Sequence, residues 1–318
     1  MKKPRLLMFL IVSTYAAGLS TVNPSGKSAE AKRVNKAIEL LEQGQPIYYT
    51  GAHGGYEEGK RLAQTWADYI NYEMEHGAYD VTLLRRFMQG LVDGGPTRSG
   101  HRTPAVICTL PVGGIDEATM KANYWMVQQV LAAGAHGILL CHARSPEAIR
   151  VFVEAARYPF HKGRVGNGLK EGLRGSGGQG FASQIWGIDT KRYLQIADPW
   201  PLNPEGEILL GLKIEDRHAL QNAESSVRVP GIGFAEWGPS DMGMSWGFPG
   251  RQGENYVKVM KEARERVFSA CKAAKIPFLN GVAPDSVERM IDEGVMIGSG
   301  NQKAADKGRR YSKRSMPW

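Results

Sequence analysis

Two carboxylates define the chemistry this chain can offer. Glu215 and Asp241 close two successive apolar runs within the stretch from Glu207 to Gly247. That stretch reads as strand, helix, strand. Glu207 to Glu215 is apolar with a charged end, Arg217 to Ser226 has helical composition, and Pro230-Gly231 breaks it. Ile232 to Trp237 is a second apolar run, followed by the turn Gly238-Pro239-Ser240-Asp241. In a βαβ unit such strands are parallel neighbours with their carboxyl ends on one side. Two acids held there, with room for water and a chelating substrate, suit a hard divalent cation. Alone, Glu215 reads equally well as the first-turn acid of the next helix. The pair, with Gly-Pro fixing the turn, favours a metal.

Three other residues have chemical potential. Lys213 lies two residues before Glu215, so on an extended strand both face the same side. A buried lysine there needs a partner or a function. It either neutralises the two acids or binds a substrate carboxylate. His142 ends the run GILLCH, where it serves as a base, a third ligand, a substrate contact or simply a polar strand end. Arg174, in the glycine-rich KEGLRGSGGQG, either binds a carboxylate or stands in solvent.

The elements that must position these groups alternate strictly. Eight strand candidates follow one another: 45–52, 69–74, 104–111, 137–142, 207–215, 231–237, 277–282 and 294–299. Helical segments lie between them at 57–66, 81–91, 116–133, 146–156, 217–226, 254–274 and 284–293, after a first amphipathic helix near Val34 to Gln43. This order predicts a single-domain (β/α)8 TIM barrel over residues 32–300, with a doubly wound sheet as the alternative. The stretch from Tyr158 to Pro204 exceeds an ordinary connection. It forms a long glycine-rich loop after strand 4, expected to cover the active site.

The net charge of +8 is gathered at the two ends of the sequence. Lys2, Lys3, Arg5 and Lys27 supply it at the start; Lys303, Lys307, Arg309, Arg310, Lys313 and Arg314 supply it after Ser299. The body between is near neutral, which argues against a nucleic-acid surface despite a pI near 9.3. Residues 301–318 read as a basic tail, solvated or touching another subunit. Met1 to Ala31 has the make-up of an export signal: a positive start, an apolar run from Leu6 to Leu19 and a small-x-small site at Ala29-Glu30-Ala31. An ordinary N-terminal helix is the alternative. Cys108, Cys141 and Cys271 lack both disulfide and metal-finger spacing and read as buried apolar residues.

The order GLKIED, helix, VPGIGFAEWGPSDMGMSWG resembles the HpcH/HpaI aldolase/citrate lyase family, as do AARYPF, GLRGSGG and EMEHGAYD. The resemblance spans roughly Asn35 to Gly300. It implies a metal-dependent barrel, usually oligomeric, that makes or breaks carbon–carbon bonds beside a pyruvate-like keto acid. By resemblance Glu215 and Asp241 hold the metal, and the backbone around Ser240, from Gly238 on, receives the substrate carboxylate. Glu73 and His76 fall where the family has an acid–histidine dyad. A histidine suits proton abstraction near neutral pH, and a neighbouring acid fixes its tautomer. On its own, His76 reads as a surface loop residue. A dication chelated by the keto acid acts as a Lewis acid for the developing enolate.

Three departures surround this pocket. The third strand, AVICTLP, has no arginine where the family has one to hold the substrate's oxygens. Lys213 replaces a glutamine, and Glu73 replaces an aspartate. Together they imply an altered substrate or altered chemistry. The expectation is therefore a divalent-metal lyase, with Mg2+ or Mn2+ as cofactor and Co2+ a further candidate, acting on a keto acid and an aldehyde. The alternatives are a degenerate metal-binding barrel without turnover, or a decarboxylase or synthase of the macrophomate synthase type. No nucleic acid or membrane span is expected. A homo-oligomer is, exported or periplasmic, with a cytoplasmic enzyme as the alternative.

Overall fold

The computed structural model describes residues 33–318; the expected export signal lies outside them. The strands are β1 Ile47–Ala52, β2 Tyr69–Glu73, β3 Ala105–Gly113, β4 Gly137–Cys141, β5 Pro199–Trp200, β6 Ile208–Ile214, β7 Phe234–Trp237, β8 Phe278–Gly281 and β9 Val295–Ser299. All pair in parallel. The order β4-β3-β2-β1-β9-β8-β7-β6 closes through a β4–β6 pairing, with the two-residue β5 beside the start of β6. This is the expected (β/α)8 barrel, and every predicted strand overlaps one of its eight staves. Each stave is a short apolar run bounded by glycine, proline or charge, as strands buried on both faces must be.

The helices are α1 Lys36–Glu42, α2 Tyr56–Leu62, α3 Val81–Asp93, α4 Glu117–Asn123, α5 Trp125–Ala132, α6 Pro146–Ala155 and α7 Gln179–Trp186. They continue with α8 Thr190–Ile196, α9 Arg217–Gln221, α10 Ala223–Ser226, α11 Pro239–Ser245, α12 Glu254–Ala274, α13 Val287–Glu293 and α14 Gln302–Tyr311. No described helix is long and apolar enough to cross a membrane. Cys108, Cys141 and Cys271 are free and buried.

Strand alternation divides the apolar residues into two sets. Ile70, Val106, Ile138, Leu210 and Ala235 face the helices, while Ile47, Tyr69, Ile107, Leu139, Leu209, Phe234, Leu279 and Ile297 fill the barrel. The amino ends of the staves are plugged by α1, whose Ala37, Ile38, Leu40 and Leu41 join the interior set. Asn35 fixes this plug: its carbonyl oxygen accepts from the N–H groups of Ala37 and Ile38 and its amide donates to His136 and Glu207. Each fully buried isoleucine or leucine of α1 stabilises the fold by roughly 1.5–3 kcal/mol.

Two expectations are corrected. The long connection follows α6, so it is an αβ link carrying α7 and α8 to the amino end of β6, and not the βα loop that the expectation of an active-site cover requires. Its α7 packs on the outer helices; Trp186 stacks on His136 just before β4 and donates to Gly134 O at 2.9 Å. A buried two-pronged pair, Arg157 with Asp198 at 2.8 and 3.2 Å, clamps the excursion. Residues 301–318 are not a solvated tail. α14 is the last barrel helix, and Arg309 and Arg314 are buried against Asp68. The helix lies so close to β1 that a Cβ at Gly308 would collide with Tyr48 Oη.

Candidate active site

At the carboxyl ends of the staves, acids from β2, β6 and β7 gather around Lys213. Glu73 ends β2, Glu75 lies two residues beyond it, and Glu215 follows β6. Glu236, inside β7, is the register partner of Lys213. Lys213 Nζ lies 2.6 Å from Glu75 Oε2 and 3.8 Å from Glu215 Oε2. Glu215 is 1 % exposed. Burial pushes its carboxyl up, against the opposing pull of Lys213 and the His142 N–H. Burial, reinforced by Glu215, Glu75 and Glu73, pushes Glu236 up to about 7 even with Lys213 beside it. Burial alone would lower the lysine, but the surrounding carboxylates hold its ammonium above the ordinary value. Several acids therefore share one ammonium in a half-buried space.

His76 stands over this cluster, its side chain 68 % exposed. Its Nδ1 is 3.6 Å from Glu73 Oε1 and 3.7 Å from Glu75 Oε2. Glu73 Oε1 accepts from the N–H groups of Glu75 at 2.7 Å and His76 at 3.1 Å. Burial raises the Glu73 carboxyl, but those amides, Thr109 and Lys213 outweigh it and leave it below its usual value. The loop EMEH thus wraps around the first glutamate, placing the imidazole between two carboxylates.

His142 reaches the same space from β4. Its φ of +46° is left-handed, unusual for a residue with a side chain. That conformation aims its N–H at Glu215 Oε1, 2.9 Å away. Its Nδ1 is 3.0 Å from Asp216 Oδ2, which also accepts from Arg144 Nε at 2.8 Å. Asp216 Oδ1 caps α9 through the N–H groups of His218 and Ala219, each at 2.9 Å. The bond to Asp216 raises the imidazole pKa. Burial would raise Asp216, but His142, the capping amides and Arg144 hold it well below the carboxylate range.

Gly238 completes the floor. A Cβ there would lie 2.5 Å from Glu215 Cβ and 2.9 Å from its Oε2, so only glycine lets β7 run this close to the glutamate. Ser240 and Asp241 follow in the first turn of α11, both half-buried. On β3, Thr109 faces inward beside Glu73, its register partner, where no arginine stands. Arg174 is engaged elsewhere. It is buried against the Tyr158 ring, 4.2 Å from its centroid, and donates to Tyr193 Oη at 2.8 Å.

The donor set fits a divalent cation. Among the described residues, two groups of possible ligands each have their ligand atoms within 4.8 Å of one another, Glu73–Glu75–His76 and Glu75–His142–Glu215; Asp241 is in neither. Carboxylate oxygens in excess over the neighbouring ammonium are what a hard cation requires. Glu75, Asp216 and Glu236 are contributors that reasoning from the sequence misses. Strand alternation carries the signal for Glu75 and Glu236, two residues from Glu73 and Phe234 on inward positions.

Residues 103–300 match the model of the HpcH/HpaI aldolase/citrate lyase family, and the chain belongs to that family. It is 30% identical over 156 residues to a 2-keto-3-deoxy-L-rhamnonate aldolase of Klebsiella pneumoniae, covering 49% of this chain and 52% of the relative. It is 31% identical over 200 residues to a hydroxypyruvate/pyruvate aldolase of Cupriavidus necator, covering 61% and 67%. The chain thus spans about half the length of the first of these relatives. In three dimensions it resembles an HpcH/HpaI aldolase/citrate lyase family protein from Burkholderia cenocepacia, with a TM-score of 0.64 at 18% identity, covering 87% of this chain and 96% of that one.

Proposed function

We propose that this protein is a divalent-metal-dependent carbon–carbon lyase of the aldolase type, acting on a 2-keto acid. The observation that carries this reading is the buried Glu215 facing Glu75, Glu236 and a single lysine, an excess of negative charge at a barrel's carboxyl end. Glu215, with Asp241 by family position, would hold the cation, Mg2+, Mn2+ or Co2+. When bound, that ion supplies Lewis-acid stabilisation of the charge developing on the keto acid's oxygen.

The chain's own residues then divide the remaining work. His76 takes a proton from the hydroxyl of the bond being cleaved, and returns it in the reverse direction. Glu73 and Glu75, on either side of Nδ1, orient the ring. The backbone from Gly238 to Ser240 receives the substrate carboxylate. Lys213 supplies a point charge toward it in place of the absent third-strand arginine, which permits looser orientation and a wider range of carbonyl partners. The Lys213–Glu75 pair also favours a second reading, a cation-binding barrel whose turnover has been lost, because the lysine is already satisfied without substrate.

Deuterium exchange into the methyl group of pyruvate separates the two. The lyase reading expects exchange that requires added Mn2+ or Mg2+ and disappears in Glu215→Gln. Metal bound to the wild type with no exchange from any keto acid tried would leave only the second reading. The proposed enzyme is also exported and homo-oligomeric. N-terminal sequencing of protein from its native cells should find a start near Lys32, and an intact Met1 in a cytosolic fraction would reject export.

A further inference from the structure

We propose that His142 is a ligand of the site's cation, and that its imidazole shifts the site's preference from Mg2+ toward Co2+ and Zn2+. The inference rests on the metal-dependent reading above and extends it to a residue and a metal preference.

Three independent features place His142 in this role. A ring nitrogen of His142, an oxygen of Glu75 and an oxygen of Glu215 lie within 4.8 Å of one another, a spacing one ion can gather. The ring is already fixed. Nδ1 meets Asp216 Oδ2 at 3.0 Å, and Asp216 is itself held by Arg144 and two helix amides. Nδ1 is also the ring atom facing Glu215, 3.8 Å from its Oε1; with Nδ1 given to Asp216, Nε2 is the nitrogen left to coordinate, the division metal-binding histidines characteristically show. The backbone is committed as well. His142 adopts a left-handed φ, and with it the N–H bond to Glu215 Oε1 at 2.9 Å. Backbone strain of this kind persists only where the surroundings over-determine it, and it collects at functional sites. Neighbouring bonds supply that restraint: Ala143 N donates to Lys213 O at 3.1 Å and Arg144 N to Gly114 O at 2.9 Å. One residue therefore orients the metal glutamate through its amide and presents an imidazole beside it. Carboxylates alone suit Mg2+ and Mn2+; an imidazole added to them favours Co2+ and Zn2+.

Pulsed EPR of the Mn2+-loaded full chain, with calorimetric titration by Mg2+, Mn2+, Co2+ and Zn2+, tests this. The variant is His142→Asn, because asparagine tolerates a left-handed backbone and keeps an N–H donor for Asp216. The wild type should show coupling to a directly bound imidazole nitrogen that survives His76→Asn and vanishes in His142→Asn. Affinity for Co2+ and Zn2+ should fall about 10- to 100-fold in that variant, with Mg2+ little changed. Bound Mn2+ without nitrogen coupling would overturn this inference and leave the lyase reading intact. So would coupling lost with His76, or an equal loss for all four metals. Failure of the wild type to bind any of the four would overturn both. Should His142→Asn not fold, the wild-type and His76→Asn spectra still decide.

Discussion

At the closed end of the barrel one carboxylate, Asp68, is shared by Lys36, Arg309 and Arg314 at 3.4, 3.1 and 2.7 Å. At the open end one ammonium, Lys213, faces Glu73, Glu75, Glu215 and Glu236. The closed-end group is sealed: Asp68 and Arg309 are 0 % exposed. Its surplus positive charge is met by Asp306, 3.3 Å from Arg309, and by the carbonyl oxygens of Trp66 and Pro46, to which Arg309 and Arg314 donate. The open-end group keeps its surplus negative charge, with Glu236 raised to about 7. A barrel's amino-end face serves stability and its carboxyl-end face serves chemistry. Here that division can be read as charge: one end is balanced from within the chain, and the other keeps a negative surplus that the proposed cation would complete.

Breaking the closed end should cost the most. Asp68→Asn leaves three buried cations without their common partner, and loss of one member of a buried ionic group costs about 3–5 kcal/mol. Urea denaturation should show that loss, with cation affinity of the folded fraction unchanged. The same group sets an acid limit. Burial raises Asp68, but Arg314, Arg309 and Lys36 outweigh it and hold the carboxyl at about 2. A depressed folded pKa contributes stability that is present above the unfolded value and lost as pH falls through the folded one. The contribution, about 2.5 kcal/mol, should therefore be complete above pH ~4 and vanish toward pH ~2. Asp68→Asn should flatten that part of the acid stability profile; an unchanged profile would show that other groups set it.

The open end should respond in the opposite sense. Lys213→Met removes the cation paired with Glu75, so the metal should stay bound while KM for the keto acid rises about tenfold, or about 1.4 kcal/mol. Unaltered kinetics with metal retained would reduce Lys213 to charge balance. The smallest effect is expected from Glu236→Gln, which removes one acid from a crowded set. Metal-free protein should gain about 1 kcal/mol near pH 8, with little change once Mn2+ is added. A loss of stability instead would mean that the four acids do not repel one another.

The staves are legible in the sequence because each carries its own local signal. Glu207 to Glu215 and Gly231 to Trp237 are continuous apolar runs with turn residues at both ends. α14 is not legible. Its buried face is Ala304, Ala305, Gly308 and the paired Arg309, with no large apolar side chain, so the helix is polar overall and its charges dominate the pattern. α7 and α8 are hidden by the glycines around them. In the site, Glu215, Lys213 and His76 stand out because strand ends and family motifs mark them. Asp216 escapes notice because it sits beside the glutamate and also does the work of a helix cap. The left-handed turn at His142 has no sequence signature; it depends on bonds to residues more than seventy positions away.

The Asp68 group also sets an order of assembly. Arg309 and Arg314 lie 241 and 246 residues beyond Asp68. A ribosome adding about 5–20 residues per second exposes the aspartate well before either arginine exists. Through that interval the growing chain can form hairpins of strand and helix, yet its lower end still carries an acid without two of its three partners. Docking of the final helix is thus the step that seals the structure. Contacts of such sequence separation form slowly, so the nascent protein should stay open to protease until the residues around 314 have emerged.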